Sequence, residues 1–273
     1  MTETSWVSPT LSDGLGNRLF QIAAAAGAAA KYNRKLVFYL PRCYKSSHSN
    51  PKDIFALFPS VPILEGGHSK WQEISEKHFA TYEPLPQPPF SSEQSGIVIQ
   101  GFRQSQHYFN AQDLPPFDFR EALGETVYKS LTRPELSDAA FLHVRLGDYR
   151  ILPHHQVNLE AYWIQTLQEV AAANMKHLLI FSDEPVYIKT VMLPFFEQFG
   201  FTKVEVIEGS PTTPIADLYL MSQCLKGAIC ANSTFSWWGA YLAKQNGCNL
   251  IFMPSKWGAH ETPDIIPRWS KAL

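Results

Sequence analysis

The chain reads Phe141-Leu142-His143-Val144-Arg145-Leu146-Gly147-Asp148-Tyr149 directly after the apolar pair Ala139-Ala140. The run from Ala139 to Leu142 reads as a buried strand. It then delivers an imidazole, a guanidinium, a glycine and a carboxylate between residues 143 and 148. A parallel strand that empties polar groups into a glycine-containing turn is where α/β proteins place ligand sites. Arg145 matters most, because a planar guanidinium makes bidentate, charge-assisted contacts to phosphate oxygens. The competing reading is a strand end whose Arg145 and Asp148 merely pair with each other, since structural ion pairs also occur there.

Working outward, the same rhythm repeats downstream. Helices are expected near 158–174, from Pro185 to about Gly200, and over 215–225 and 235–245. Strands are expected at 177–182, 203–207, 227–230 and 249–253 between them. Strands separated by helices of about ten or more residues indicate a parallel, doubly wound sheet. Upstream, a strand over 6–11 leads through Gly14-Leu15-Gly16 into an alanine-rich helix from about Asn17 to Tyr32. Further strands are expected at 35–40, 61–64 and 96–101, and a helix over 119–131. The division between two α/β halves falls near Thr132 to Ser137, separating 1–135 from 136–273.

Bulk composition bounds the function. The 273 residues, 45% of them apolar and 13% aromatic, suffice for a substantial core. A net charge of -2 and a pI near 6.5 argue against broad electrostatic binding of nucleic acid, so any phosphate contact is local. Cys43, Cys224, Cys230 and Cys248 show no CxxC pair and no zinc spacing. No apolar run reaches the roughly 18–20 residues that span a membrane. The nearest, Ala23 to Ala30, is short, broken by Gly27 and preceded by no basic segment. A soluble chain in a cytosol-like compartment, or a domain cut from something larger, is expected.

Several other strand ends carry candidate chemistry. The turn Gly14-Leu15-Gly16-Asn17 lets backbone approach a ligand where a helix start offers free N–H groups. It is not a dinucleotide fingerprint, because Leu19 stands where the third glycine belongs. Its plain alternative is a tight turn with Asn17 as helix cap. Ser182 and Asp183 end another strand before Pro185, where they either cap the helix or accept from a base or ribose. Asn232-Ser233-Thr234-Phe235 places hydroxyls and backbone N–H groups at a helix N-terminus, an anion site with the dipole correctly oriented. Asn232-Ser233-Thr234 is also a glycosylation sequon, too close to a buried strand end to be used. Trp237 and Trp238 read as core. Asp217 lies on the preceding helix, where its plain reading is a solvated first-turn acid. No Asp-x-Asp occurs, so the usual carboxylate pair for a divalent ion on a sugar diphosphate is missing.

These ends together suggest a nucleotide held across a cleft, and the motifs that carry them resemble one family throughout. Gly14 to Gln21 resembles the GLGNQMFQ start of the α-1,2-fucosyltransferases, glycosyltransferase family 11. Gly101 to Ser105 with His107-Tyr108-Phe109 resembles GYFQSEKYF, His143 to Tyr149 resembles HxRRGDY, and Phe181-Ser182-Asp183 resembles FSDD. Asp217 to Met221 and Asn232 to Gly239 resemble DLYLM and NSSFSWWG, and Asp264 to Trp269 resembles the family's tail. The likeness runs in order along nearly the whole chain.

It implies a GT-B-like pair of Rossmann-like halves, an N-terminal one for the acceptor and a C-terminal one for the nucleotide sugar. It implies inverting, metal-independent transfer of fucose from GDP-fucose to a glycan acceptor. Arg145 would hold the β-phosphate and His143 would orient or polarise that site. Asp183 or Asp217 would recognise guanine or ribose, with Ser182 beside them. Asn232, Ser233, Thr234 and the Phe235 N–H would cradle phosphate, and Gly14, Gly16 and Asn17 would reach the donor from the other half. His143, Asp148 and His107 are the candidate bases. The chain departs from the family at Leu146 (second Arg), Arg18-Leu19 (Gln-Met), Arg103 (Phe) and Glu184 (second Asp). The loss of one arginine leaves donor identity open. Another nucleotide sugar on the same scaffold, or a non-catalytic nucleotide- or carbohydrate-binding protein, are the alternatives. The stretch 43–89 would carry acceptor choice.

Overall fold

Twelve strands are present in the computed structural model, which describes residues 5–43, 51–66, 70–79, 81–87, 96–173, 175–208, 214–259 and 264–273. The stretch expected to choose the acceptor, 43–89, falls partly outside these residues. The strands are β1 (Trp6–Pro9), β2 (Lys35–Leu36), β3 (Phe38–Tyr39), β4 (Ile63–Leu64), β5 (Trp71–Ile74) and β6 (Gly96–Ile99). They continue as β7 (Ala139–Val144), β8 (His177–Ser182), β9 (Lys203–Val206), β10 (Gly227–Ile229), β11 (Ile251–Met253) and β12 (Lys271–Ala272). Every pairing among them is parallel. The sheets run β2-β1-β6-β5, β3-β4 and β12-β11-β10-β7-β8-β9.

The chain divides into two compact units, Met1–Ala122 with Pro263–Pro267 and Leu123–Thr262 with Arg268–Leu273. The change of unit comes ahead of the 132–137 segment that the sequence suggests. The expected helix over 119–131 is two, Phe119–Leu123 and Glu125–Leu131, broken at Gly124 with φ of 75°. The strands β5 and β12 carry no clear sequence signal.

In the first unit, helix Leu15–Lys31 packs on β1, β2 and β6. Its alanines from Ala23 to Ala29 are buried, and their small size lets the helix axis lie close to its neighbours. Gly27 sets the closest approach, because any Cβ there would strike the backbone carbonyl of Tyr108.

In the second unit, β7 is buried at every position, as a central strand of a parallel sheet must be. Successive side chains alternate between the faces. Ala140, Leu142 and Val144 share one core with Leu167 and Val170 of helix Glu160–Ala172 and with Leu178 and Ile180 of β8. Phe141 and His143 point to the other face, where helices Pro214–Gln223 and Thr234–Gln245 pack on each other. Trp237 and Trp238 are fully buried there, and Trp237 stacks on Tyr241 with ring centroids 5.5 Å apart. Away from the strand ends, Arg133 grips Glu205 of β9 bidentately at 2.7 and 2.9 Å. That guanidinium, helped by Lys203, holds the Glu205 carboxyl down at about 2. All four cysteines are buried and unpaired.

Candidate active site

In the second unit the chain runs β7, β8, β9 toward one edge, then β10, β11, β12 toward the other. The reversal lies between β7 and β10. Outside the carboxyl ends at such a switch point the connecting segments diverge and leave a crevice, where open α/β sheets bind ligands. The residues leaving β7 and β10 are those the sequence singles out.

His143 is 4% exposed, and its ring lies against Phe235 with centroids 5.6 Å apart. Burial, and then the nearby Arg145 charge, pull its pKa down to about 3, so the imidazole is neutral. Its Nδ1 is buried without a hydrogen-bond partner among the described residues. One residue past the strand, Arg145 emerges half-exposed between two carboxylates. Its Nη2 donates to Asp148 at 2.7 Å, and its Nη1 lies 3.2 Å from Asp183. The guanidinium carbon sits 5.4 Å from the centre of the Tyr149 ring. Both sequence readings therefore meet here: the ion pair exists, and it orients a guanidinium that still faces solvent.

Asp183 also accepts the Leu146 N–H at 2.9 Å, which ties the end of β8 to the turn after β7. Gly147 is required by that tie, since a Cβ would collide with the Asp183 carboxylate. The Leu146 side chain packs against the core of this unit, so the position contributes no charge. Ser182 accepts the Glu184 N–H at 3.1 Å and shapes the turn into Pro185.

At the end of β10, Asn232 is 3% exposed. Its amide donates to the carbonyls of His155 at 3.0 Å and Trp257 at 2.9 Å, which removes the sequon from reach of any modification. Its carbonyl accepts from Tyr149 Oη at 3.1 Å, so the β7 and β10 loops are directly joined. Ser233 caps helix Thr234–Gln245, accepting the Phe235 N–H at 3.3 Å. The Tyr149 ring stacks on His155, centroids 4.5 Å apart and planes 8° apart. Asp217 sits in the first turn of helix Pro214–Gln223, and burial alone raises its carboxyl to about 6. Among the described residues it has no hydrogen-bond or ion-pair partner.

In the first unit, β1 and β6 lie side by side and their exits face the same way. Helix Leu15–Lys31 starts earlier than expected, with Gly14 as N-cap, so Asn17 lies inside its first turn. Asn17 Oδ1 accepts from Gln104 Nε2 at 3.0 Å, joining the two strand exits. A Cβ on Gly14 would meet nothing within 4 Å, whereas Gly16 is buried in the helix. Arg103, where the family carries Phe, is 1% exposed and lies at φ of 53°. Its side chain donates to the carbonyls of Gln100 at 3.0 Å and Ile74 at 3.1 Å and to Tyr108 Oη at 3.2 Å. That arginine is a strut within the first unit.

Residues 95–263 match the model of Glycosyl transferase family 11. The chain belongs to glycosyltransferase family 11. It is 27% identical to the alpha-1,2-colitosyltransferase of Escherichia coli, over 94% of this chain and 94% of the relative. It is 25% identical to a galactoside 2-alpha-L-fucosyltransferase of Caenorhabditis elegans, over 93% of this chain and 72% of that protein. A crystal structure of POFUT1 in complex with GDP matches with a TM-score of 0.52 at 12% identity, covering 92% of this chain and 99% of that one. That likeness is one of fold, and it gives the glycosyltransferase a GT-B-like α/β architecture. No helix among the described residues is long and apolar enough to cross a membrane.

Family motifs account for Arg145, His143 and the Asn232–Phe235 turn. They include Gln104 but not its contact with Asn17, and they do not announce His155, whose place depends on contacts distant in sequence. The adjacent pair His154-His155 is visible in the sequence, but nothing in its spacing ties it to β7.

Proposed function

We propose that this family 11 glycosyltransferase is an inverting, metal-independent α-1,2-fucosyltransferase that moves fucose from GDP-fucose to a galactose-type hydroxyl in a glycan. One observation carries the reading. The Arg145 end of β7 and the Asn232–Phe235 turn after β10 meet at one switch point, joined through Tyr149.

In an inverting transfer the acceptor oxygen bonds to C1 as the C1–O bond to phosphate breaks, and GDP leaves with the electron pair. Negative charge grows on the β-phosphate. Arg145, already oriented by Asp148 and Asp183, is assigned to that charge, where a preorganised donor acts most strongly. The dipole of helix Thr234–Gln245 acts in the same sense. Because Ser233 Oγ accepts from Phe235, its own hydroxyl hydrogen is free to point at a phosphate oxygen, with Thr234 beside it. His143, uncharged in its buried position, backs this site by packing its ring against Phe235 and takes no proton at neutral pH. Gly14, Gly16 and Asn17 keep the donor-binding assignment that the family motif carries.

Among the described residues no group of three His, Cys, Asp or Glu side chains is placed to hold a metal ion. GDP release from GDP-fucose in the presence of EDTA is the decisive assay. Full activity is expected, and loss on chelation overturns metal independence. A protein that binds GDP but never releases it from a donor would be a binding protein only. The 27% identical colitosyltransferase favours a second donor, GDP-linked colitose, to be assayed in parallel with a UDP-sugar control.

Asp217 is assigned to the N–H groups of guanine, with Asp183 occupied by Arg145 and Leu146. The carboxylate accepts from two such donors at once, whereas the protonated acid turns one oxygen into a donor, and burial raises its pKa to about 6. GDP affinity is therefore expected to fall as pH drops through about 6. Asp217→Asn should bind GDP more weakly and flatten that dependence in calorimetric titrations; an unchanged slope removes the assignment.

A further inference from the structure

We infer that His155 is the general base of the transfer, the group that accepts the proton of the attacking hydroxyl. The inference rests on the proposed transferase reading and supplies the one role left vacant there. His155 ends the turn Pro153–His155, and that turn is tied from both directions. Its carbonyl accepts from Asn232 at 3.0 Å, and the His154 carbonyl accepts the Ala259 N–H at 2.9 Å. The imidazole lies flat on Tyr149, the ring that also carries the Arg145 guanidinium and bonds to Asn232. Segments from β7 and β10 thus hold one imidazole beside the residue assigned to the leaving phosphate. Among the described residues neither of its ring nitrogens has a hydrogen-bond partner.

The charged and titratable groups around it are His154, whose ring centroid is 4.2 Å away, with Asp148, Arg145 and Tyr149. Partial burial, His154 and Arg145 favour the neutral ring, and Asp148 opposes them; the net effect is a lowered pKa. A base must be unprotonated to act, and this one is at neutral pH. The alternatives are poorer. His143 is sealed inside the sheet, Asp148 is paired with Arg145 at 2.7 Å, and His107 belongs to the first unit beside Tyr82. As the acceptor oxygen bonds to C1, the C1–O bond to the β-phosphate breaks and its electron pair leaves with GDP. The hydroxyl proton passes to a ring nitrogen of His155, and solvent then removes it.

Three proteins test this: wild type, His155→Ala and His155→Phe. The phenylalanine keeps a flat ring on Tyr149 but has no basic nitrogen. GDP release from GDP-fucose is followed across the histidine range of pH with lactose, and with water alone, as acceptor, and GDP affinity is measured by calorimetry. Both variants should bind GDP as wild type does, lose about 100-fold or more in kcat, and lack the acidic limb of the wild-type kcat profile taken at saturating donor, where the Asp217 titration no longer enters. Wild-type turnover in His155→Phe would show that the ring only packs, and overturns the assignment, as does a wild-type profile flat through the histidine range. A wild type that neither binds GDP nor releases it defeats instead the transferase reading on which the inference rests.

Discussion

Arg145→Ala is expected to cut fucose transfer by about 100-fold or more while leaving the melting temperature nearly unchanged. The two halves of that expectation have separate causes. On the chemical side, the guanidinium is the cation that the proposed function assigns to the departing diphosphate, and Asp148 and Asp183 hold it in place. Its removal deletes a preorganised donor and leaves two carboxylates facing a diphosphate without compensation. Donor affinity and kcat should therefore fall together. On the stability side, the Arg145 side chain is about one-third exposed, and the pairs it makes are worth little in water. Arg145→Lys separates charge from geometry. A lysine keeps the positive charge but loses the planar fork, so it should recover GDP affinity better than turnover. Single-turnover GDP release together with calorimetric GDP binding reads both quantities, and near-wild-type turnover in Arg145→Ala would remove the residue from the mechanism.

Gly27→Ala carries the largest expected effect on stability. Helix propensity alone favours alanine by about 1 kcal/mol at an interior position. Against this, the new methyl would collide with the backbone carbonyl of Tyr108 in the turn Gln106–Tyr108. A flexible side chain can swing away from such a contact. A carbonyl in a turn whose neighbours are hydrogen-bonded cannot: the Tyr108 hydroxyl takes bonds from Arg103 at 3.2 Å and from the Glu83 N–H at 2.9 Å. Overpacking of this kind costs about 1–3 kcal/mol, occasionally more, so the clash wins and net destabilisation of about 2 kcal/mol is expected. Chemical denaturation should show an earlier transition in the variant. An unchanged or later midpoint would mean that the helix can slide away from the turn.

Much of the fold is legible in the sequence because a parallel sheet writes itself in a simple code. Strands covered on both faces become unbroken apolar runs, as in 139–142 and 178–181, and polar residues appear where the chain leaves the sheet. That code places His143, Arg145, Ser182, Asp183 and Asn232 at strand exits before any coordinate is known. It fails where a strand is short and borrows its order from a neighbour. Trp71–Ile74 exists because β6 offers it a free edge, and Lys271–Ala272 because β11 does. Nor does it show that Leu123–Leu131 groups with the second unit, through contacts such as Tyr128 stacking on Tyr219, centroids 4.9 Å apart.

The sequence by itself determined the alternating α/β class, the family motifs and the side chains available at each strand exit. Only the tertiary structure decided which exits are neighbours, because strand order is set by pairings between segments far apart in the chain. That order seats Asp183 against Arg145 and Leu146, and brings His155 under Asn232 onto Tyr149. It also turns Arg103 inward as a strut, where its charge serves the first unit. Residue types follow from local pattern; their meetings follow from the sheet that gathers them.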